Sequence, residues 1–201
     1  MTHGRERPTA KIIDVLLAEH RNIKKLLYVL EQELDAFDRS HSPDYEIMQA
    51  IIQYFLDYPE GYHHPKEDIL FEKLKLRDAA IAKRIGDVED EHELETARLQ
   101  KFAQAVSDVL AGREVLRQTF HDIVHEFITY QRAHMDKEEV MLFPAALRAL
   151  KAEDWADIDA RLGNRADPLF DGQSLKKYQA LQKTILRWER ETQAGRVPAR
   201  A

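Results

Sequence analysis

Four stretches of the chain carry apolar residues at the three-and-four spacing of an amphipathic helix, and each contains a histidine in line with that spacing. His20 lies four residues after Leu16 and three before Ile23, and His92 lies four residues after Val88. A buried polar group without a partner costs about 1–3 kcal/mol. Histidines on the inner faces of several helices therefore predict a helical core that holds something able to neutralise them.

The four stretches have the length and spacing of long helices with short connections. The second contains Pro59, Gly61 and Pro65, so a kink or a break is expected there. No alternating run of β-branched residues predicts a strand. The pattern predicts an all-α fold, an up-down-up-down four-helix bundle. The predicted helices span about residues 9–37, 42–74, 78–110 and 114–143.

The predicted bundle occupies residues 9–150, and a C-terminal helical extension over 151–193 is expected to pack on it, followed by a tail at 194–201. The extension contains two predicted helices, at about 152–162 and 174–191. The apolar face of the last helix either covers the bundle or pairs with a second copy as a homodimer. This face consists of Tyr178, Leu181, Ile185 and Trp188.

Composition excludes several classes of protein. The chain has 30 basic and 36 acidic residues, a net charge of −6, which argues against a nucleic-acid partner. It has no cysteine, which excludes disulfides and thiolate-ligated clusters. No apolar run approaches the roughly 20 residues that span a bilayer, and the polar N-terminus resembles no export signal. We expect a cytoplasmic protein with no membrane partner.

The motif His-x-x-x-Glu occurs twice, from His63 to Glu67 and from His134 to Glu138. Four residues make about one helical turn, so each pair projects from one helix face. Imidazole and carboxylate are ligands that suit iron, manganese or zinc, and a carboxylate can bridge two metals. The predicted metal-ligating set is His20, His63, Glu67, His92, His134 and Glu138.

Other histidines offer competing interpretations. His64 with Asp68 has the same spacing as the first motif, but the residues upstream on its face are polar, so we prefer the first motif. His121 and His125 also have a ligand spacing. His125 precedes His134 by nine residues, about two and a half turns, so this pair is expected at the surface or outside the ligand set.

His20, the HHPKE segment, His92 within DEHELE and the HMDKEEVMLFP segment together resemble the hemerythrin-like HHE cation-binding family over about residues 12–150. The resemblance implies a four-helix bundle around a non-haem di-iron site, with two Fe ions that are oxo- or hydroxo-bridged, or Mn or Zn in their place. It also implies that the four histidines are terminal ligands and that Glu67 and Glu138 bridge the two metals.

The chain departs from the oxygen-carrying hemerythrins, which have a second histidine one turn from the one on the third helix. Val88 and Thr96 stand at those positions here. One metal is therefore expected to have an open position, or one completed by water, by a tyrosine or by Glu89. This departure argues against reversible oxygen transport.

The expected function is that of a di-iron protein that binds or reacts with a small diatomic or peroxide ligand, namely oxygen, nitric oxide or peroxide, in sensing or redox defence. The sequence leaves open whether the protein is an enzyme. The alternatives are an iron store or donor for repair of metal centres, and a bundle with structural zinc or no metal. Relatives with a repair role carry an additional cysteine-bearing segment, which this chain lacks.

Overall fold

The computed structural model describes residues 11–162, 167, 169–170 and 178–193. These residues form helices and connecting segments, with no strand among them, which confirms the predicted all-α fold. Nine α-helices are described: α1 (Lys11–Asp38), α2 (Tyr45–Asp57), α3 (His64–Arg77), α4 (Ala79–Ile85), α5 (Val88–Leu110), α6 (Arg117–Lys137), α7 (Phe143–Ala149), α8 (Ala152–Arg161) and α9 (Gln179–Gln193).

Four long helical units form an up-down-up-down bundle. The units are α1, α2 with α3, α5, and α6 with α7; each packs against the next and the first packs against the fourth. Neighbouring units are antiparallel. Between α1 and the fourth unit, for example, His20 contacts Glu139 and Glu31 contacts Arg132. The residue numbers therefore increase in opposite directions along the two units.

A turn of π-helix interrupts two of the units, and a proline follows each turn closely. Pro59–His63 joins α2 to α3, and Glu138–Leu142 joins α6 to α7. In the first turn, the amide of His64 donates to the carbonyl of Pro59, five residues earlier. The next residue, Pro65, has no N–H to donate, and the wider turn accommodates it without ending the helix. The kink expected from these prolines is thus a π-helical turn.

The second π-helical turn changes which residues face the core. The amide of Phe143 donates to the carbonyl of Glu138, and Pro144 follows. Leu142 and Phe143 are buried, whereas Val140 is 74% exposed. Because the turn contains one residue more than a regular turn, the apolar face continues one residue later than an unbroken α-helix would place it.

Two predicted helix boundaries were wrong. The helix predicted over 78–110 is divided at Gly86, whose φ of +91° is strained for residues with a Cβ. Asp78 caps the first part, α4, by accepting a hydrogen bond from the amide of Ile81. The fourth unit does not end at residue 143 before Pro144, because α7 continues to Ala149 with that proline in its first turn.

The core consists of two apolar clusters separated by a polar layer. One cluster includes Ile23 and Leu27 of α1 and Phe127 of α6. The other includes Leu16 of α1 and Leu142 at the end of the fourth unit. Each unit thus passes from one apolar cluster to the other, and buried histidines and carboxylates lie between them.

The last described helix, α9, packs against α1 and α2. Leu181 and Ile185 are buried there, and the hydroxyl of Tyr178 donates to the carboxylate of Asp57 at 2.6 Å. The side chain of Trp188 and the predicted helix start at residue 174 lie outside the described residues. The apolar face therefore covers the bundle, and the homodimer and the division into bundle and extension stay predictions. No described helix is long and apolar enough to cross a membrane.

Candidate metal centre

The structure brings the six predicted residues together in the polar layer of the bundle. Each of the four units contributes at least one of them, and none is more than 7% exposed. Their burial shows that these polar side chains belong to the core. They are His20 on α1, His63 and Glu67 on the second unit, His92 on α5, and His134 and Glu138 on the fourth unit.

The carboxylate of Glu67 lies between His20 and His63 on one side and His92 on the other. Its Oε1 is 3.2 Å from Nε2 of His20 and 3.1 Å from Nε2 of His63. Its Oε2 is 3.5 Å from Nε2 of His92. One carboxylate therefore faces imidazoles on both sides.

The carboxylate of Glu138 likewise faces histidines on both sides, His20 and His134. Its Oε2 is 3.4 Å from Nε2 of His20, and its Oε1 is 3.4 Å from Nε2 of His134. The cluster therefore has two positions at which donor atoms converge, with both carboxylates facing each. We call the position beside His20 and His63 the first position and the one beside His92 and His134 the second position.

The other ring nitrogen of each histidine faces a carboxylate outside the cluster. A carboxylate only accepts hydrogen bonds, so Nδ1 of His20, His63 and His134 is the donor, and each Nε2 is turned toward the centre. Nδ1 of His92 faces its carboxylate without a well-formed hydrogen bond. This arrangement fixes the orientation of the four rings. The pairs are His20 with Glu139 at 3.0 Å, His63 with Glu19 at 2.8 Å, His92 with Asp68 at 3.0 Å and His134 with Glu91 at 3.1 Å.

Three of these outer carboxylates also pair with a lysine. Lys24 lies 3.1 Å from Glu139, Lys66 pairs with Glu19 and Lys137 pairs with Glu91. The hydroxyl of Tyr58 donates a second bond to Glu19, at 2.8 Å. These partners hold the outer carboxylates in place and offset their charge.

The metal-free cluster binds protons strongly. Burial lowers the pKa of His20, but hydrogen bonds to Glu138 and Glu67 outweigh it and raise the pKa to about 9. Burial also lowers the pKa of His63, but the carboxylates of Glu67 and Glu19 outweigh it and raise the pKa to about 9. For His92, hydrogen bonds to Asp68 and Glu67 outweigh burial and raise the pKa to about 10. Near neutral pH these imidazoles carry the protons that a metal would displace.

The pKa values of the two central carboxylates are shifted in opposite directions. Burial and the charge of Glu67 raise the pKa of Glu138 well above its ordinary value. For Glu67, burial acts in the same direction, but the charge of His63 and hydrogen bonds to the neighbouring imidazoles outweigh it, and its pKa is lowered. Two carboxylates in one buried cluster are therefore not both compensated by the protein alone.

Several buried donor atoms are left without a well-formed hydrogen bond. Among the described residues they include both oxygens of Glu138, Oε2 of Glu67 and Nε2 of His134. Buried polar atoms are rarely left unpaired in proteins. Imidazole nitrogens and carboxylate oxygens that converge while many of them lack a well-formed hydrogen bond fit a bound cation.

Two further residues belong to the same layer and were missed by the ligand prediction. His64 is buried, and its ring stacks on that of His92 with centroids 4.1 Å apart. Glu95 is 1% exposed, and its Oε2 lies 3.1 Å from Nε2 of His64. The spacing of Glu95, three residues after His92 on the same helical face, was the available signal. The π-helical turn brings both His63 and His64 into the core.

Two of the residues considered around the missing histidine make other contacts. The hydroxyl of Thr96 donates to the carbonyl of His92 at 3.0 Å. Among the tyrosines, Tyr58 donates to Glu19 and so stands behind His63. The side chain of Glu89 lies outside the described residues.

The two competing histidine pairs, His64 with Asp68 and His121 with His125, make different contacts. Asp68 faces Nδ1 of His92 and does not pair with His64. His121 and His125 stack on each other, with His121 contacting Asp38 at the end of α1 at 3.0 Å. These two histidines are therefore remote from the centre.

A comparison with known families matches residues 11–146 to the hemerythrin HHE cation binding domain, which is more than half of the 201-residue chain. Comparisons with curated proteins and with solved structures return no match. The matched range contains the first three bundle units, the fourth unit up to residue 146 and the whole polar layer. The chain belongs to the hemerythrin HHE cation-binding family.

Proposed function

We propose that this protein holds two iron ions, one in each position, and binds or reacts with oxygen, nitric oxide or peroxide in sensing or redox defence. The observation that carries the proposal is the shared position of Glu67 and Glu138. Each carboxylate has one oxygen toward the first position and the other toward the second. The proposed ligands are the six residues predicted from the sequence.

Charge balance supports two divalent ions. The two ions bring four positive charges, and the two central carboxylates offset two of them. The four imidazoles ligate in the neutral form, so loading releases their Nε2 protons. Iron, manganese and zinc all suit this donor set. Zinc has no redox chemistry, so electron exchange with a small molecule needs iron or manganese, and we propose iron.

The protein's own residues have three tasks in this proposal. The outer carboxylates keep each Nε2 directed at the centre and strengthen the imidazoles as ligands. The apolar clusters on both sides exclude bulk water and keep the layer rigid. The lysines behind Glu19, Glu139 and Glu91 offset charge that the ions do not neutralise.

The test is metal loading followed by exposure to candidate ligands. The purified apo-protein is loaded anaerobically with ferrous iron, freed of excess metal and assayed for iron per chain. We expect two irons and a change in near-ultraviolet and visible absorption on addition of oxygen, nitric oxide or peroxide. Glu138→Ala is the matched variant, and it should bind less iron.

Two results would contradict the proposal. One is a wild-type chain that binds no iron under these conditions. The other is a loaded protein whose spectrum is unchanged by all three small molecules. Transfer of the iron to an apo-acceptor without such a spectral response would instead favour the iron-donor alternative.

A further inference from the structure

The second position has a carboxylate that the first lacks in the described structure, and it lies beside the place where the oxygen carriers have a second histidine. We propose that Glu95 is a metal ligand that completes the second position, and that His64 positions it. This inference rests on the proposed two-metal function and makes the two positions chemically unequal.

The distance between Glu95 and His134 fits two ligands of one ion at the second position. Its Oε1 lies 4.0 Å from Nε2 of His134. Protein ligands bind such ions at about 2.0–2.2 Å, so two ligand atoms on opposite sides of one ion stand about 4 Å apart. Glu95 and His92 project from the same face of α5, three residues apart.

The burial of Glu95 is hard to explain without a cation. Its side chain is 1% exposed, and within the described part of the chain neither oxygen makes a well-formed hydrogen bond. Among the described residues His64 lies at ion-pair distance from it and no lysine or arginine does, whereas Glu19, Glu91 and Glu139 each have a lysine partner. A buried charge is retained in proteins when it is paired or coordinates a metal.

His64 supplies the geometry that holds Glu95. Its Nε2 faces Oε2 of Glu95 at 3.1 Å, which leaves Oε1 on the side of His134. The ring is fixed by stacking on His92, with planes 8° apart. His64 thus has the same relation to Glu95 that the outer carboxylates have to the ligating histidines.

A carboxylate in place of an imidazole changes the second position. It adds a negative charge, so three carboxylates instead of two offset the four charges of the ions. It is also a harder ligand than imidazole, which favours iron or manganese. We expect the ion at the second position to depend on Glu95 and the ion at the first to be independent of it.

The test compares Glu95→Gln with Glu93→Gln. Glu93 is exposed on the same helix and serves as the matched control. Apo-proteins are titrated with cobalt(II) in the presence of a competing chelator, with absorption spectra that report the coordination of each ion. Wild type and Glu93→Gln should bind two ions. Glu95→Gln should keep one and bind the other more than about 100-fold more weakly, beyond the 10–100-fold loss typical of an outer partner.

The spectrum provides the second readout. The weakened ion in Glu95→Gln should show an altered cobalt absorption band, because it has lost a ligand. His64→Gln should weaken the same ion by about 10–100-fold and leave the other unchanged. If Glu95→Gln does not fold, as judged by circular dichroism, His64→Gln decides, and unchanged affinity for both ions would overturn the proposal.

The failures of the two proposals are distinguishable. If wild type binds no metal, the two-metal function itself is wrong. If wild type binds two ions and Glu95→Gln binds both with the affinity and spectrum of Glu93→Gln, only the assignment of Glu95 is wrong. A loss below about 100-fold with an unchanged band would likewise overturn direct ligation.

Discussion

The first and second positions share two carboxylates but differ in what surrounds them. Behind His63, the side chains of Glu19 and Lys66 are each 7% exposed, so this outer pair is part of the core. Behind His92 and His134, Asp68 and Glu91 are 35% and 24% exposed. Glu139, behind His20, is 28% exposed, so of these four outer carboxylates only Glu19, behind His63, is buried. We expect the second position to exchange metal and admit small ligands more readily.

The largest effect should come from the residue that joins the two positions. Glu67→Ala removes an oxygen from each, so metal content should fall from two ions to less than one per chain. The measurement is metal analysis after loading and removal of excess ions. Glu93→Ala on the exposed face of α5 is the control and should keep both ions. Retention of two ions by Glu67→Ala would show that the positions do not share this carboxylate.

A smaller and unequal effect is expected from the outer carboxylates. Glu19→Gln leaves Lys66 buried without its charged partner, which should destabilise the apo-protein by about 3–5 kcal/mol. Glu91→Gln breaks a more exposed pair with Lys137 and should cost less than about 1 kcal/mol. Each variant should weaken metal binding at its own position by about 10–100-fold.

Urea unfolding of the two apo-variants measures this difference, and cobalt titration measures the affinities. Equal destabilisation by Glu19→Gln and Glu91→Gln would show that the two positions are shielded alike. A loss of affinity at the wrong position would show that the outer carboxylates do not act through the histidines they contact.

The structure buries the six predicted residues in one layer. Spacing could indicate this because a histidine in line with an apolar helical face still faces the core when the helix shifts slightly. His20 and His92 lie within regular helix, where spacing alone places them correctly. The two motifs at Glu67 and Glu138 each adjoin a π-helical turn, and a period of 3.6 residues does not anticipate the extra residue. The ambiguity between His63 and His64 arose there, since the structure buries both.

Glu95 was missed for a different reason. Its spacing from His92 placed Glu95 on the same helical face, but in a helix rich in glutamate that spacing alone does not show which carboxylate is buried. Its burial depends on His64, which lies on another unit and is brought inward by the π-helical turn. The break at Gly86 and the extension past Pro144 likewise depend on local backbone geometry and on packing.

A further expected effect concerns protons and should be common to both positions. The pKa values of His20 and His63 at the first position, and of His92 at the second, are raised to about 9–10 in the metal-free protein, because hydrogen bonds to carboxylates outweigh burial. The folded state therefore holds more protons than the unfolded state between pH 6.5 and that range. The contribution of these histidines to apo-protein stability should be complete below about pH 6.5 and should be lost as pH rises through about 9–10. Metal affinity should rise over the same interval, because Nε2 must lose its proton.

Thermal unfolding with and without saturating cobalt(II), between pH 6 and 9, measures both trends. The stabilisation by metal should grow with pH, and His63→Gln and His92→Gln should each flatten the apo-protein trend by about 2–3 kcal/mol. Similar flattening by the two variants would mean that the positions differ in shielding and ligand set but not in proton loading. If only His63→Gln flattens the trend, the protonated imidazoles lie at the first position and not at the second. An apo-protein that becomes more stable above pH 7 would contradict the raised pKa values at both positions.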